Sequence, residues 1–318
     1  MLTDLIRQFE NHEKKHPGNI PDSVFFDFGN HDGHISISSI IHGNEVGSLP
    51  AILKLIDHLI TKKINYEGKI SFILGNKKAS FENKRYLQDD LNRSFGKNLD
   101  YKNSIEKQRA FEIKKILDIS DVFIDFHQTT MPCKEPFYIF AMHQESYLWA
   151  RAIGNSKYFV TRKSNKPYSQ EGMCSDEYMR SLNKPGITLE LGEQGFHKNS
   201  EIVCYRAIKK ALYVMDEIFL KKKSLNTLAK KNQDFQFLAI KHKEMFANDK
   251  MKLVNSLFNL QKIEKNKIMG TLENGKYFYS PMEGYVLFPQ YPKRNEKEFV
   301  IDPLPPYIYT LAIEIKKF

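Results

Sequence analysis

Apolar and polar positions follow two periods along the chain up to about residue 220. Residues 23–28 and 34–41 carry the short runs of strands, the second rich in isoleucine. The period then changes. Leu49, Ile52, Leu53, Ile56 and Ile60 recur at helical spacing and predict a helix over 46–60. A short apolar strand at 69–74 is ended by Gly75-Asn76. Residues 104–117 read as a helix, with Asn103 or Ser104 as N-cap. Residues 121–126 read as a buried strand, 137–142 as another, and 144–153 as a helix. A strand at 187–191 lies between Gly186 and Gly192, and a long helix at 201–220 closes the region.

Strands alternating with helices predict an α/β fold: a mixed or largely parallel sheet flanked by helices on both faces. Ligands bind such sheets beyond the carboxyl ends of the strands. Chemistry is therefore expected just after a strand. Around 221–233 the chain turns polar and Lys-rich, and a domain boundary is expected there, between 1–222 and 223–318. Beyond it, 235–240, 277–279, 284–288 and 307–315 read as strands. Asn274-Gly275 and Pro303-Leu304-Pro305-Pro306 supply turns between them. This predicts a smaller, mainly β domain. The length of 318 residues agrees, because single cores stop growing near ~250–300 residues.

Composition narrows the class. Hydrophobic residues make up 41% and charged residues 27%, a globular balance that argues against a disordered chain. The start, Met1-Leu2-Thr3-Asp4, lacks a basic segment followed by an apolar one. No apolar run approaches the ~20 residues of a membrane span. The expectation is a soluble cytoplasmic protein without membrane association. Cys133, Cys174 and Cys204 are far apart and form no C-x-x-C, so reduced, buried thiols are expected. The net charge of +10 comes from 48 Lys+Arg against 38 Asp+Glu. The lysines are scattered, densest at Lys221–Lys223 and Lys230-Lys231, which reads as solvated surface rather than a nucleic-acid stripe. Such a charge can steer a small anion.

The candidate chemistry sits where the sheet rule puts it. His42-Gly43-Asn44-Glu45 follows one predicted strand and His127 another. Two imidazoles and a carboxylate form the ligand set of a catalytic zinc, with a fourth position for water. Taken alone, His-x-x-Glu reads rather as core or capping residues, because so short a pattern occurs by chance. Glu190 lies in the apolar run Ile187–Leu191, where a carboxylate is costly unless paired or functional. Beside a metal-activated water it could shuttle a proton; otherwise it is a buried salt bridge. The segment Arg85–Arg93 holds two arginines and Asn92. It reads either as a carboxylate fork with an oxyanion donor or as a solvated charged loop.

At these motifs the chain resembles the aspartoacylase/succinylglutamate desuccinylase family, of zinc-carboxypeptidase-like fold. His42-Gly43-Asn44-Glu45, Asp90-Leu91-Asn92-Arg93, Asp125-Phe126-His127 and Leu189-Glu190-Leu191-Gly192 occur in the family's order, and the resemblance covers roughly 34–200. It implies one Zn2+ per chain on His42, Glu45 and His127. It implies Glu190 as general base and acid, and Arg85 as the group polarising the scissile carbonyl. Asn92, Arg93 and, ten residues before Glu190, Arg180 would hold substrate carboxylates. Arg180 reads equally as a helix-end arginine in 176–182. Tyr291 resembles a tyrosine lent by the family's C-terminal domain, with Tyr285 as a rival. That domain would cap the site.

The implied reaction is hydrolysis of an N-acyl-aspartate or N-acyl-glutamate. His127-Gln128-Thr129-Thr130 and Gly192-Glu193-Gln194 look like aspartoacylases, whereas Leu189-Glu190-Leu191-Gly192 looks like desuccinylases. The acyl group and a homodimer stay open. A zinc carboxypeptidase acting on peptides would share the metal set, and release of C-terminal residues would distinguish it. A non-catalytic basic binding protein would show salt-dependent affinity for nucleic acid.

Overall fold

The computed structural model describes residues 1–96, 100, 102–296, 298, 300–301 and 304–317. Pro303, one of the expected turn residues, lies outside them. The elements in chain order begin with α1 (Leu2–Lys15), β1 (Ser23–Asp27), β2 (His34–Ser39), α2 (Leu49–Ile60), β3 (Lys69–Leu74) and α3 (Lys77–Phe81). A 3-10 turn, Leu91–Arg93, precedes α4 (Ile105–Ile119), β4 (Val122–Thr129), β5 (Phe137–Ala141), α5 (Gln144–Ile153) and β6 (Tyr158–Arg162). Next come α6 (Ser175–Ser181), β7 (Gly186–Glu193), α7 (Lys198–Phe219) and α8 (Leu225–Ala229). The rest is β8 (Gln236–Glu244), β9 (Lys252–Leu253), β10 (Lys262–Ile263), β11 (Ile268–Thr271), β12 (Tyr277–Tyr279), β13 (Gly284–Leu287) and β14 (Tyr309–Glu314).

Eleven strands form one mixed sheet in the order β1-β3-β2-β4-β7-β5-β6-β8-β14-β13-β10. Its centre is parallel: β2 with β3, β2 with β4, and β4 with β7. The strands beyond β8 pair antiparallel and extend the same sheet. A separate sheet, β12-β11-β9, covers a small core of Met251, Leu257, Met269 and Ile308.

Both faces of the central strands are covered, and strand alternation assigns each side chain to one layer. Phe72 of β3 and Ile124 of β4 face α1, α2, α5 and α7. Their neighbours Ile73 and Phe123 face α4 and α6. Every residue of β2, β4 and β5 is buried. The mixed α/β architecture agrees with the sequence pattern.

Among the differences from the pattern, including the unread strand β6, three stand out. The helix expected over 46–60 starts at Leu49, because Pro50 belongs in a first turn where its missing N–H costs nothing. The strand expected to end at 126 runs on to Thr129, so His127 lies within it. Residues 2–15, given no element, form α1, where Ile6 and Phe9 are fully buried. Each such side chain contributes roughly 1.5–3 kcal/mol. The spacing of Leu2, Leu5, Ile6 and Phe9 is helical and was there to be read.

Candidate active site

The carboxyl ends of β2, β4 and β7 lie along one edge of the sheet, and the candidate residues gather there. The chain leaves β2 through Ile40, whose φ of 60° is unusual for a β-branched residue. Hydrogen bonds pin that strained turn: Gly75 N donates to Ser39 O and Asn76 N to Ile40 O. His42 follows at once. Gly43 has no room for a side chain, since a Cβ would stand 2.5 Å from both the Ala79 carbonyl carbon and Lys84 O. On β4, His127 is in direct register with Glu190 of β7. One slipped residue would send one of the two to the opposite face.

His42, Glu45 and His127 converge, with ligand atoms all within 4.8 Å of one another and all three residues buried. His42 Nδ1 lies 2.8 Å from Glu45 Oε1, His127 Nδ1 lies 2.8 Å from Glu45 Oε2, and the two Nδ1 atoms are 3.1 Å apart. Each imidazole turns its other nitrogen to a carboxylate. His127 Nε2 is 2.9 Å from Asp125 Oδ2, and His42 Nε2 is 3.2 Å from Asp90 Oδ1. Such partners orient the rings and leave Nδ1 to a metal. Both oxygens of Asp125 are held in turn, by Ser38 Oγ at 2.6 Å and Ser175 Oγ at 2.5 Å. The donor set and its outer carboxylates fit a zinc ion.

Electrostatics follow from this packing. Burial pushes the Glu45 carboxyl up, but His42 and His127 outweigh it and hold it below the usual range. Burial would depress the His127 imidazole; Asp125 and Glu45 hold it well above its ordinary value instead. Glu190 goes the other way. Burial pushes it up to about 8, against the pull of His127 and Arg85, while Glu45 and Asp125 add like charge. Its Oε2 is buried without a hydrogen-bond partner among the described residues.

Arg85 reaches the same edge. Its Nε and one terminal nitrogen donate to Asp90 Oδ2 at 3.1 and 3.0 Å, and the other terminal nitrogen is 3.5 Å from Glu45 Oε1. Arg93 donates to Asn92 O at 2.7 Å and to Cys174 Sγ at 3.3 Å, and its guanidinium lies over the Tyr168 ring. Asn92 behaves differently from the expected carboxylate holder. Its side-chain carbonyl accepts Ser175 N at 3.0 Å and its amide lies 3.4 Å from His127 Nε2, so it ties the loop to α6 behind the ring.

Arg180 and Tyr291 are not brought to the site. Arg180 pairs with Asp176 at 2.6 Å and donates to Gly186 O at 3.0 Å. Gly186 opens β7, and four extended residues, roughly 13 Å, separate it from Glu190. Tyr291 donates to Val254 O and accepts Leu257 N within the small C-terminal core. Its rival Tyr285 accepts from Gln236 Nε2. The tyrosine that the C-terminal segment does supply is Tyr307. It lies close to Tyr168, in the field of Arg85, Arg93 and Glu190. No local pattern marked it. Asp125 could have been found, because it shares a strand face with His127 two residues on.

Gln128 binds the loops around the site together. Its Oε1 accepts Gly47 N at 2.7 Å, and its Nε2 donates to Glu193 O and Gly195 O at 2.5 and 2.9 Å. A Cβ on Gly47 would stand 2.3 Å from that Nε2.

Residues 33–215 match the family described as the succinylglutamate desuccinylase/aspartoacylase catalytic domain. The chain belongs to this family. The succinylglutamate desuccinylase of Photorhabdus laumondii is 28% identical over 138 residues, which are 43% of this chain and 40% of that protein. That of Serratia proteamaculans is 32% identical over 92 residues, 29% of this chain and 28% of that protein. The matched region thus spans under half the length of these curated relatives. Solved folds agree over nearly the whole chain. A succinylglutamate desuccinylase/aspartoacylase from Rhodobacter sphaeroides superposes with a TM-score of 0.69 at 15% identity, covering 93% of this chain and 89% of that one. Murine aminoacylase 3 gives 0.60 at 17% identity, covering 89% and 96%. No helix among the described residues is long and apolar enough to cross a membrane.

Proposed function

We propose that the protein is a zinc-dependent amidohydrolase that removes the acyl group from an N-acyl-aspartate or N-acyl-glutamate. One observation carries the reading. Three ligand atoms converge, each imidazole backed by a carboxylate, and His127 among them lies in register with a buried Glu190 whose Oε2 has no partner among the described residues. Bound on His42, Glu45 and His127, a zinc ion would supply Lewis-acid activation of water and of the scissile carbonyl. Glu190 takes a proton at Oε2 from the attacking water and returns it to the departing nitrogen. A carboxyl that must both accept and release a proton works best near neutral pKa. Arg85 donates to the carbonyl oxygen as negative charge develops there. Arg93 holds a substrate carboxylate, with its guanidinium steadied by Tyr168 and the Asn92 carbonyl. The C-terminal β region, residues 223–318, caps the site through Tyr307.

A second reading follows from Arg180. One terminal nitrogen of Arg180 is held by Asp176 and Gly186 O at the far end of β7, which leaves Arg93 as the main clamp. That favours a substrate whose amino acid carries the α-carboxylate alone.

The test is metal content measured beside amine release from N-acetyl-aspartate, N-acetyl-glutamate, N-succinyl-glutamate and N-acetyl-leucine. One zinc per chain with turnover of an acidic substrate supports the first reading. Preference for N-acetyl-leucine supports the second. A protein that takes up no zinc on reconstitution ends both.

A further inference from the structure

We infer that Glu106 is a positioning residue for the metal site, holding His42 in place from two sides. Glu106 occupies the first turn of α4 and is completely buried. A carboxylate there would ordinarily serve its own helix. Instead its hydrogen bonds come from outside α4, and all the donors are neutral amides. Oε1 accepts Leu87 N at 2.7 Å and Asn76 Nδ2 at 3.0 Å. Oε2 accepts Gln88 N at 3.3 Å and Asp89 N at 3.2 Å. Three consecutive backbone N–H groups thus point at one carboxylate, an arrangement that fixes a turn and neutralises the charge.

Both arms lead to His42. The first runs through Asn76, whose backbone N–H holds Ile40 O at 2.7 Å, two residues before His42. The second runs through Leu87–Asp89 into Asp90. Asp90 Oδ1 faces His42 Nε2 at 3.2 Å, and Oδ2 accepts the paired nitrogens of Arg85. The loop is stitched back to α4 as well: Gln88 Oε1 accepts Ile105 N at 2.8 Å, and Asp89 pairs with Lys107 at 3.1 Å. Without the carboxylate, Asp90 loses the fixed backbone that aims it. His42 and Arg85 then lose their common partner.

The inference rests on the metal reading above, and the test separates the two. Glu106→Gln keeps the volume but sets an NH2 group against two of the four donors. Hydrogen exchange is followed at Leu87–Asp89, and zinc affinity by competition with a chromogenic chelator. Glu106→Gln is expected to exchange these amides about tenfold faster and to bind zinc about tenfold more weakly. Asp90→Asn should weaken zinc binding in the native background and add little in Glu106→Gln, because both act through one contact. Glu106→Asp keeps the charge and shortens the reach. It gives the same changes in smaller degree should Glu106→Gln fail to fold. Unchanged loop protection in a folded variant would overturn the inference, as would zinc effects that add fully with Asp90→Asn. A native protein that binds no zinc would end the metal reading, and loop exchange alone would then decide whether Glu106 holds the loop.

Discussion

Glu190 and Glu106 are both carboxylates taken out of water, and the fold treats them oppositely. Glu106 accepts hydrogen bonds at both oxygens from four amide donors. Glu190 keeps Oε2 without a partner among the described residues, with Glu45 and Asp125 adding negative charge nearby. Burial alone does not separate them; satisfaction of the acceptors does. A satisfied buried carboxylate stabilises what it holds. An unsatisfied one costs stability, and that cost is tolerable where the group must exchange a proton.

The largest effect should come from Glu190→Gln. Turnover of the best acyl substrate is expected to fall by roughly 10²–10⁴, the usual contribution of a positioned acid–base group, while zinc content stays the same. Metal analysis and amine release on the same sample check this. Full activity in that variant would erase the distinction between the two carboxylates.

The arginines differ by position: Arg93 lies in the field of Asp90 and Arg85, whereas Arg180 sits beside Gly186 at the far end of β7. Arg93→Ala is expected to raise KM for carboxylate substrates about tenfold or more, the worth of one charged hydrogen bond. Arg180→Ala should leave KM in place and instead lower stability by about 1–3 kcal/mol, because Asp176 and Gly186 O lose their partner. Steady-state kinetics beside thermal melts read both. A KM effect at Arg180 would mean that its ion pair opens to receive substrate.

The smallest effect concerns pH. The Glu190 carboxyl is raised from an ordinary 4.5 to about 8 in the folded chain. The folded state therefore holds a proton that the unfolded state releases across that range. Its contribution to stability is fully present below about 4.5 and is lost as pH rises through about 8. Glu45, held low, has the opposite sign: its stabilisation is present above the ordinary value and is lost in acid. In protein stripped with a chelator, Glu190→Gln should melt higher than the native chain at pH 8. The gap should shrink toward pH 5. A gap that stays constant with pH would remove titration of Glu190 as its cause.

Much of this arrangement was legible before folding. The alternating periods predicted the layered sheet, and the strand-end rule predicted where His42 and Glu45 would lie. Local reading failed where the signal depended on which end of an element faced the site. Arg180 has the family's spacing from Glu190, yet the antiparallel return through α6 leaves it beside Gly186, at the opposite end of β7. The segment from Arg85 to Arg93, taken alone, reads strongly as a solvated loop. Only the partners of Glu106 and Asp90 distinguish an anchored loop from a free one.

The sequence by itself determined the periods of the elements, the covered sheet, and the residue types able to bind a metal. Each of these depends on neighbours a few positions apart. The tertiary structure decided that His127 and Glu190 stand in register and that Tyr307, not Tyr291, approaches the arginines. It also decided that Glu106 faces a loop rather than its own helix. These contacts join residues far apart in the chain, and their energies depend on how strands pair and layers pack, which no short stretch of sequence encodes.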